Sequence, residues 1–244
     1  MTDISSASVS PVDRIFCAVD TTKLDDALLL ADLLAGEVGA IKLGKEFFTA
    51  HGPEGVRRVA AAGHRIFLDF KFHDIPNTVA GAIRAASSLQ CMLITVHASG
   101  GPPMLEAAMK AAQEAGPKRP KIVGVTVLTS LDENDLAAVG QMGPLSAQAL
   151  RLAKLAEACG LDGVVCSPHE VAMLRAALGD RFALVVPGVR PAWASADDQK
   201  RIMTPGETVK AGADHLVIGR PITRSDDPVG AARRIADEIA DALA

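Results

Sequence analysis

A chain of 244 residues is long enough for one large core, and 49% apolar residues with a formal charge of only −4 exclude a disordered chain or a polycation that coats nucleic acid. No apolar run approaches the roughly 18 residues needed to cross a bilayer, and the opening MTDISSASVSPVD has neither the basic nor the apolar part of a secretion signal. The expectation is a cytoplasmic protein without membrane or nucleic-acid partners, whose four scattered cysteines, Cys17, Cys91, Cys159 and Cys166, are buried reduced thiols rather than a disulfide or zinc set.

In chain order, residues 1–13 are serine-rich and without period, which predicts a flexible N-terminal extension. From 14 to 244 no linker or break in composition intervenes, so a single domain is expected there. Its apolar runs are IFCAVD (15–20), AIKLG (40–44), RIFLDFK (65–71), MLITVHA (92–98), IVGVTVLTS (122–130), GVVCS (163–167), ALVVPG (183–188) and HLVIGR (215–220). Most are continuous rather than alternating, as suits parallel strands covered on both faces. The segments between them carry helical spacing, for example Leu24, Ala27, Leu28, Ala31 and Leu34 after the first run, and Leu145, Ala149, Leu152 and Ala156 after Pro144. Pro228 opens a last helix with Val229, Ala232, Ile235, Ile239 and Leu243 on one face. Eight strand–helix repeats in about 250 residues predict an α/β fold of the (β/α)8 TIM-barrel type.

Polar residues interrupt the runs at their C-terminal ends: Asp20, Lys42, Asp69 with Lys71, His97, Thr129, Ser167, and Gly219 with Arg220. That rim holds the active site in (β/α)8 enzymes, so the pattern nominates an enzyme. Strand alternation sends Asp69 and Lys71 to one face and Phe70 and Phe72 to the other. With Lys42 on the neighbouring strand and Asp74 in the following loop, an array of Lys42, Asp69, Lys71 and Asp74 is expected. A lone Asp-x-Lys is commonly a structural ion pair, but four charges at a barrel mouth cost desolvation that catalysis would explain. The stretch from Gly188 to about Thr204 is long for a strand-to-helix connection and carries Arg190, Gln199, Lys200 and Arg201. A connection of that length suggests a lid, with Trp193 packing inside it.

The segment Asp69-Phe70-Lys71-Phe72-His73-Asp74-Ile75-Pro76-Asn77-Thr78-Val79 resembles the DxKxxDIPNTV signature of the orotidine 5′-phosphate decarboxylase family at every characteristic position. Similarity continues at Lys42 in IKLG, Leu128-Thr129-Ser130, Pro187-Gly188-Val189-Arg190-Pro191, Asp198-Gln199-Lys200-Arg201 and Ile218-Gly219-Arg220, and so extends from Asp20 to Arg220. The resemblance implies decarboxylation of orotidine 5′-monophosphate at C6 to UMP and CO2, a step of pyrimidine biosynthesis, without metal or organic cofactor. It implies that Lys71 stabilises the carbanion and delivers the proton, and that Asp69 lies beside the departing carboxylate and orients Lys71. Asp20 and Lys42 would meet ribose hydroxyls, Thr129 and Ser130 the base, and Arg190, Gln199, Gly219 and Arg220 the phosphate. Ile75 and Pro187 join the substrate contacts. Asp74 and Thr78 would reach into the partner subunit's site, which implies a homodimer. His73 occupies a variable position of the signature, and neither it nor His97 is assigned chemistry.

Two other readings stand beside this one: a magnesium-dependent sugar-phosphate decarboxylase or epimerase on the same barrel, and a catalytically silent phosphate-binding barrel. Ile75-Pro76-Asn77-Thr78 and Gln199 oppose the former, and the intact Lys42, Asp69, Lys71 and Asp74 oppose the latter.

Overall fold

Strands β1 (Ile15–Val19), β2 (Ala40–Gly44), β3 (Ile66–Phe72), β4 (Leu93–His97), β5 (Lys121–Val125), β6 (Gly163–Val165), β7 (Ala183–Pro187) and β8 (His215–Ile218) are all parallel and close in that order, with Ile15 of β1 opposite Leu216 of β8. The computed structural model describes residues 9–141, 143–194 and 203–244. Helices α1 (Leu24–Leu33), α2 (Lys45–Ala60), α3 (Pro76–Ser87), α4 (Pro102–Gln113) and α5 (Glu133–Ala138) follow the first five strands. Next come α6 (Leu145–Ala158), α7 (Val171–Leu178), α8 (Pro205–Lys210), α9 (Arg220–Thr223) and α10 (Pro228–Leu243). The expected (β/α)8 TIM barrel is thus observed.

Several helices begin with proline, at Pro76, Pro102, Pro205 and Pro228, where the missing N–H is no loss and the fixed φ suits the first turn. The start of α10 is closed by Asp227, whose carboxylate accepts the Gly230 amide at 2.9 Å. Ala232, Ile235 and Ile239 of this helix are fully buried, as its spacing predicts.

The core has two parts. Phe16, Phe67, Leu93, Val123 and Val185 fill the barrel interior, with the buried His215 ring stacked on Phe16 at 4.3 Å. Residues of opposite parity, such as Ile41, Leu68, Ile94 and Leu184, pack outward beneath the helices. Strands buried on both faces account for the uninterrupted apolar runs.

Two strand expectations are corrected. The fifth run stops pairing at Val125 rather than 130: the Thr126 amide makes the last bond to the sheet, to the Val165 carbonyl at 3.1 Å, and its hydroxyl donates to the same oxygen at 2.9 Å. Val127 and Leu128 are apolar because they line a cavity at the mouth, not because they belong to a strand. The sixth strand is short, and the Ser167 amide donates to Glu170 at 2.9 Å in a buried turn, so Ser167 is not a group of the mouth.

Residues 1–8 of the expected extension lie outside the described residues, while Val12–Arg14 form a 3-10 turn in which Asp13 pairs with Arg65. Cys17, Cys91 and Cys166 are buried, but Cys159, at the end of α6, is only half-buried. All four are free thiols, and burial pushes those of Cys17 and Cys91 up to about 12.

Candidate active site

Between β1, β2 and β3 the mouth gathers Asp20, Lys42, Asp69 and Lys71. Lys71 Nζ donates to Asp69 Oδ2 at 2.6 Å, Lys42 Nζ stands 3.7 Å from that oxygen, and Lys42 also donates to Asp20 Oδ1 at 3.2 Å. Exposure rises from 8% for the Lys42 side chain and 15% for Asp69 to 27% for Lys71 and 51% for Asp20. Solvent therefore screens Asp20 most, and the balance among the three less exposed groups is two ammoniums to one carboxylate. That excess of positive charge faces the cavity. Burial pushes the Asp69 carboxyl up, but Lys42, Lys71 and a hydroxyl bond from Thr95 outweigh it and hold the group below the ordinary carboxylate value.

Asp69 and Lys71 share a face as alternation predicts, but the strand between them is not regular. Phe67 pairs with Leu93 and Leu68 with Ile94, and pairing resumes only at Phe72 with Val96. Lys71 has φ +52°, a left-handed value uncommon for a residue with a side chain. Phe70 and Phe72 point away from the cavity and touch each other, with ring centroids 5.4 Å apart. Asp74 stands apart from the other three within this chain: it is exposed, its carboxylate accepts the amide of Ile75 at 2.6 Å, and it meets neither lysine. Ile75, 67% exposed, and Thr78 likewise face outward.

Two cavities meet at Asp69, Pro187 and Val217. The smaller, of about 140 Å³, is walled by Phe67, Val125, Val127 and Val165 and holds Lys71 and Thr129 at its edge. Ser130, the next residue, is exposed and not among its walls. The larger, of about 500 Å³, runs from Lys42 to the ends of β7 and β8, where Gly188, Arg190, Gly219 and Arg220 line it. Gly188 has φ +77°, which a side chain would strain. Arg224 lines the same cavity, one helical turn beyond Arg220; the four-residue spacing in Arg220-Pro221-Ile222-Thr223-Arg224 is the signal that sequence reading passed over. Three guanidiniums around one hollow suit a phosphate ester.

The connection after β7 is pinned at its base by a bridge between Val189 and Met203, with the Arg190 amide donating to the Met203 carbonyl at 3.0 Å. Gln199, with Lys200 and Arg201, lies outside the described residues. Trp193 rests under the Arg234 guanidinium of α10, 4.5 Å from its ring centre, so it packs the connection against a helix and is no wall of either cavity. The His97 ring faces His73 at 5.4 Å beside the array; burial, then His73 and Lys71, push its pKa down to about 4.

Comparison with known proteins agrees with this geometry. Residues 13–235 match the model of the orotidine 5′-phosphate decarboxylase / HUMPS family. The chain is 55% identical over 230 residues to the orotidine 5′-phosphate decarboxylase of Rhodospirillum rubrum, covering 92% of this chain and 93% of that one. It is 51% identical over 232 residues to that of Gluconobacter oxydans, covering 94% and 98%. Among solved structures, orotidine 5′-phosphate decarboxylase from Lactobacillus acidophilus superposes with a TM-score of 0.82 at 35% identity over 92% of this chain and 98% of that one. With the model spanning nearly all of the barrel and relatives this similar along their whole length, the chain belongs to the orotidine 5′-phosphate decarboxylase / HUMPS family.

Proposed function

We propose that this chain decarboxylates orotidine 5′-monophosphate at C6 of the pyrimidine to give UMP and CO2, a step of pyrimidine biosynthesis. One observation carries the reading: Lys71 Nζ, 2.6 Å from a half-buried carboxylate, stands at the edge of a small apolar hollow that opens into an arginine-lined cavity. A pyrimidine fits the first space and a ribose phosphate the second. As the bond to CO2 breaks, its electron pair stays on C6, and the ammonium of Lys71 first stabilises that charge and then supplies the proton. Asp69 keeps Lys71 aimed and lies against the carboxylate that leaves. Lys42 and Asp20 meet the ribose, Thr129 and Ser130 the base, with Pro187 and Ile75 as further contacts. Arg190, Gln199, Gly219 and Arg220 hold the phosphate, and binding there organises the charged groups on closure.

The active form in this reading is a homodimer in which Asp74 and Thr78 complete the partner's site. Their exposure, that of Ile75, and an apolar cleft of about 640 Å³ between α2 and α3, lined by Phe48, Phe70 and Phe72, support a second copy on this side. The reading also places the protein in the cytoplasm, where a biosynthetic substrate carrying both a carboxylate and a phosphate is made and kept. The test is to mix chelator-treated protein with orotidine 5′-monophosphate and follow the loss of its ultraviolet absorbance. Turnover that survives chelation is expected. Silence toward this substrate, with magnesium-dependent decarboxylation of a sugar phosphate instead, would replace the reading.

A further inference from the structure

Thr95 is the polar residue in the middle of the apolar strand β4, and its side chain is fully buried. Across from it β3 is bulged: between the pairs Leu68–Ile94 and Phe72–Val96, the three residues Asp69, Phe70 and Lys71 stand opposite Thr95 alone. The hydroxyl has two partners, and they are the two ends of the reactive pair. Thr95 Oγ1 lies 2.7 Å from the backbone nitrogen of Lys71 and 3.1 Å from Asp69 Oδ1. The chemistry fixes the direction of both bonds. A backbone N–H can only donate, so the hydroxyl oxygen accepts from Lys71 and its single proton goes to the carboxylate.

We infer that Thr95 is a positioning residue for the decarboxylation, holding the Lys71 backbone in its left-handed conformation while locking the Asp69 carboxylate toward Lys71. This rests on the proposed roles of Asp69 and Lys71. Without the hydroxyl, the Lys71 amide would be left unpaired in the bulge, and nothing in the ladder would oppose relaxation of φ +52° to the extended value that side chains favour. The Asp69 carboxylate could then rotate, since Oδ1 would have lost its bond while Oδ2 still meets Lys71. Threonine suits the post because branching at Cβ leaves its χ1 stiff in a strand. Its reach to both partners sets the ammonium by the backbone and the carboxylate at once.

The test compares Thr95→Val, which keeps the shape and removes the hydroxyl, with Thr95→Ser, which keeps both bonds. Two readouts are taken: steady-state decarboxylation across pH, and hydrogen exchange at the Lys71 amide. The valine variant is expected to lose about 10- to 100-fold in kcat, with KM changed less than about threefold. Its acid limb should move to higher pH, because the ionised form of Asp69 has lost a donor. Exchange at the Lys71 amide should rise about tenfold or more as its acceptor is lost. Serine restores kcat, acid limb and protection together. A valine variant that keeps kcat within twofold of wild type, or keeps the Lys71 amide protected, overturns the inference. If wild type itself leaves orotidine 5′-monophosphate untouched, the function has failed, and the exchange at Lys71 still decides whether Thr95 holds that lysine. Thr95→Cys, similar in bulk but a weak hydrogen-bonding group, carries the same comparison if the valine variant does not fold.

Discussion

At the N-terminal end of the barrel, Asp162 accepts from Arg119 at 2.7 and 2.8 Å, from Lys121 at 3.2 Å and from the Ile122 amide at 2.8 Å, while Asp214 takes Arg175 at 2.6 Å and the Leu184 amide at 2.8 Å. At the C-terminal end, Asp69 takes two ammoniums and a hydroxyl, and the Lys71 ammonium meets that one carboxylate among the described residues. Both ends are rich in half-buried charge. At the base the carboxylates bind the starts of neighbouring strands, so their electrostatics serve closure of the barrel. At the mouth the charges are held by one another and by Thr95, and an ammonium is left pointing into a cavity. What separates a staple from the proposed catalytic array here is where the lone pairs and protons end, not how many charges gather.

The largest effect that could break this contrast is at the mouth. Lys71→Ala is expected to lower kcat by about 10⁴-fold or more while the circular dichroism and melting temperature stay close to wild type; retention of more than a hundredth of the activity would reduce Lys71 to a structural cation. Next, Arg220→Ala should lower kcat/KM by about 10²- to 10³-fold through the loss of charge-assisted bonds to phosphate. Unchanged kinetics there would remove the arginine-lined cavity from the site. The base should respond in the opposite sense. Asp162→Ala is expected to cost about 3 kcal/mol of stability by leaving Arg119 and Lys121 without their carboxylate, yet turnover per folded molecule should stay within about twofold. Denaturant unfolding and active-site titration measure the two halves, and a catalytic defect without destabilisation would erase the distinction between the ends.

The smallest effect concerns pH. His97 has its pKa held near 4 in the fold against 6.5 when unperturbed. Between those values the unfolded chain takes a proton that the folded one refuses, so the stability that neutral His97 allows is present above about 6.5 and is lost as pH falls toward about 4. His97→Asn should flatten that part of the stability profile. An unchanged slope would mean that burial and its charged neighbours do not hold this histidine neutral in the fold.

Most of the barrel could be read from the chain, because strands buried on both faces must be apolar throughout and so announce themselves. The same signal misled at 126–130, where Val127 and Leu128 are apolar for the sake of the cavity. Lys42, Asp69 and Lys71 were legible from strand parity and proximity, whereas the irregularity between them was not, since three residues against one leave every side chain on the face that a regular strand would give it. Asp74 looked like a fourth member because sequence spacing cannot tell that the chain leaves the strand and turns this carboxylate out to the Ile75 amide. Thr95 escaped notice as one polar letter in an apolar run, and its partners lie across the ladder rather than along the sequence.

The bulge in β3 also makes the number of residues there matter as much as their identity. Deleting or duplicating one residue between Leu68 and Phe72 would turn either the Lys71 amine or the Phe72 ring to the wrong side of the sheet, burying a cation under the helices or setting an aromatic ring in the cavity. Deleting two residues would keep the parity but remove the bulge and with it the left-handed step. The segment should therefore accept substitutions at Phe70 far more readily than any alteration of its length.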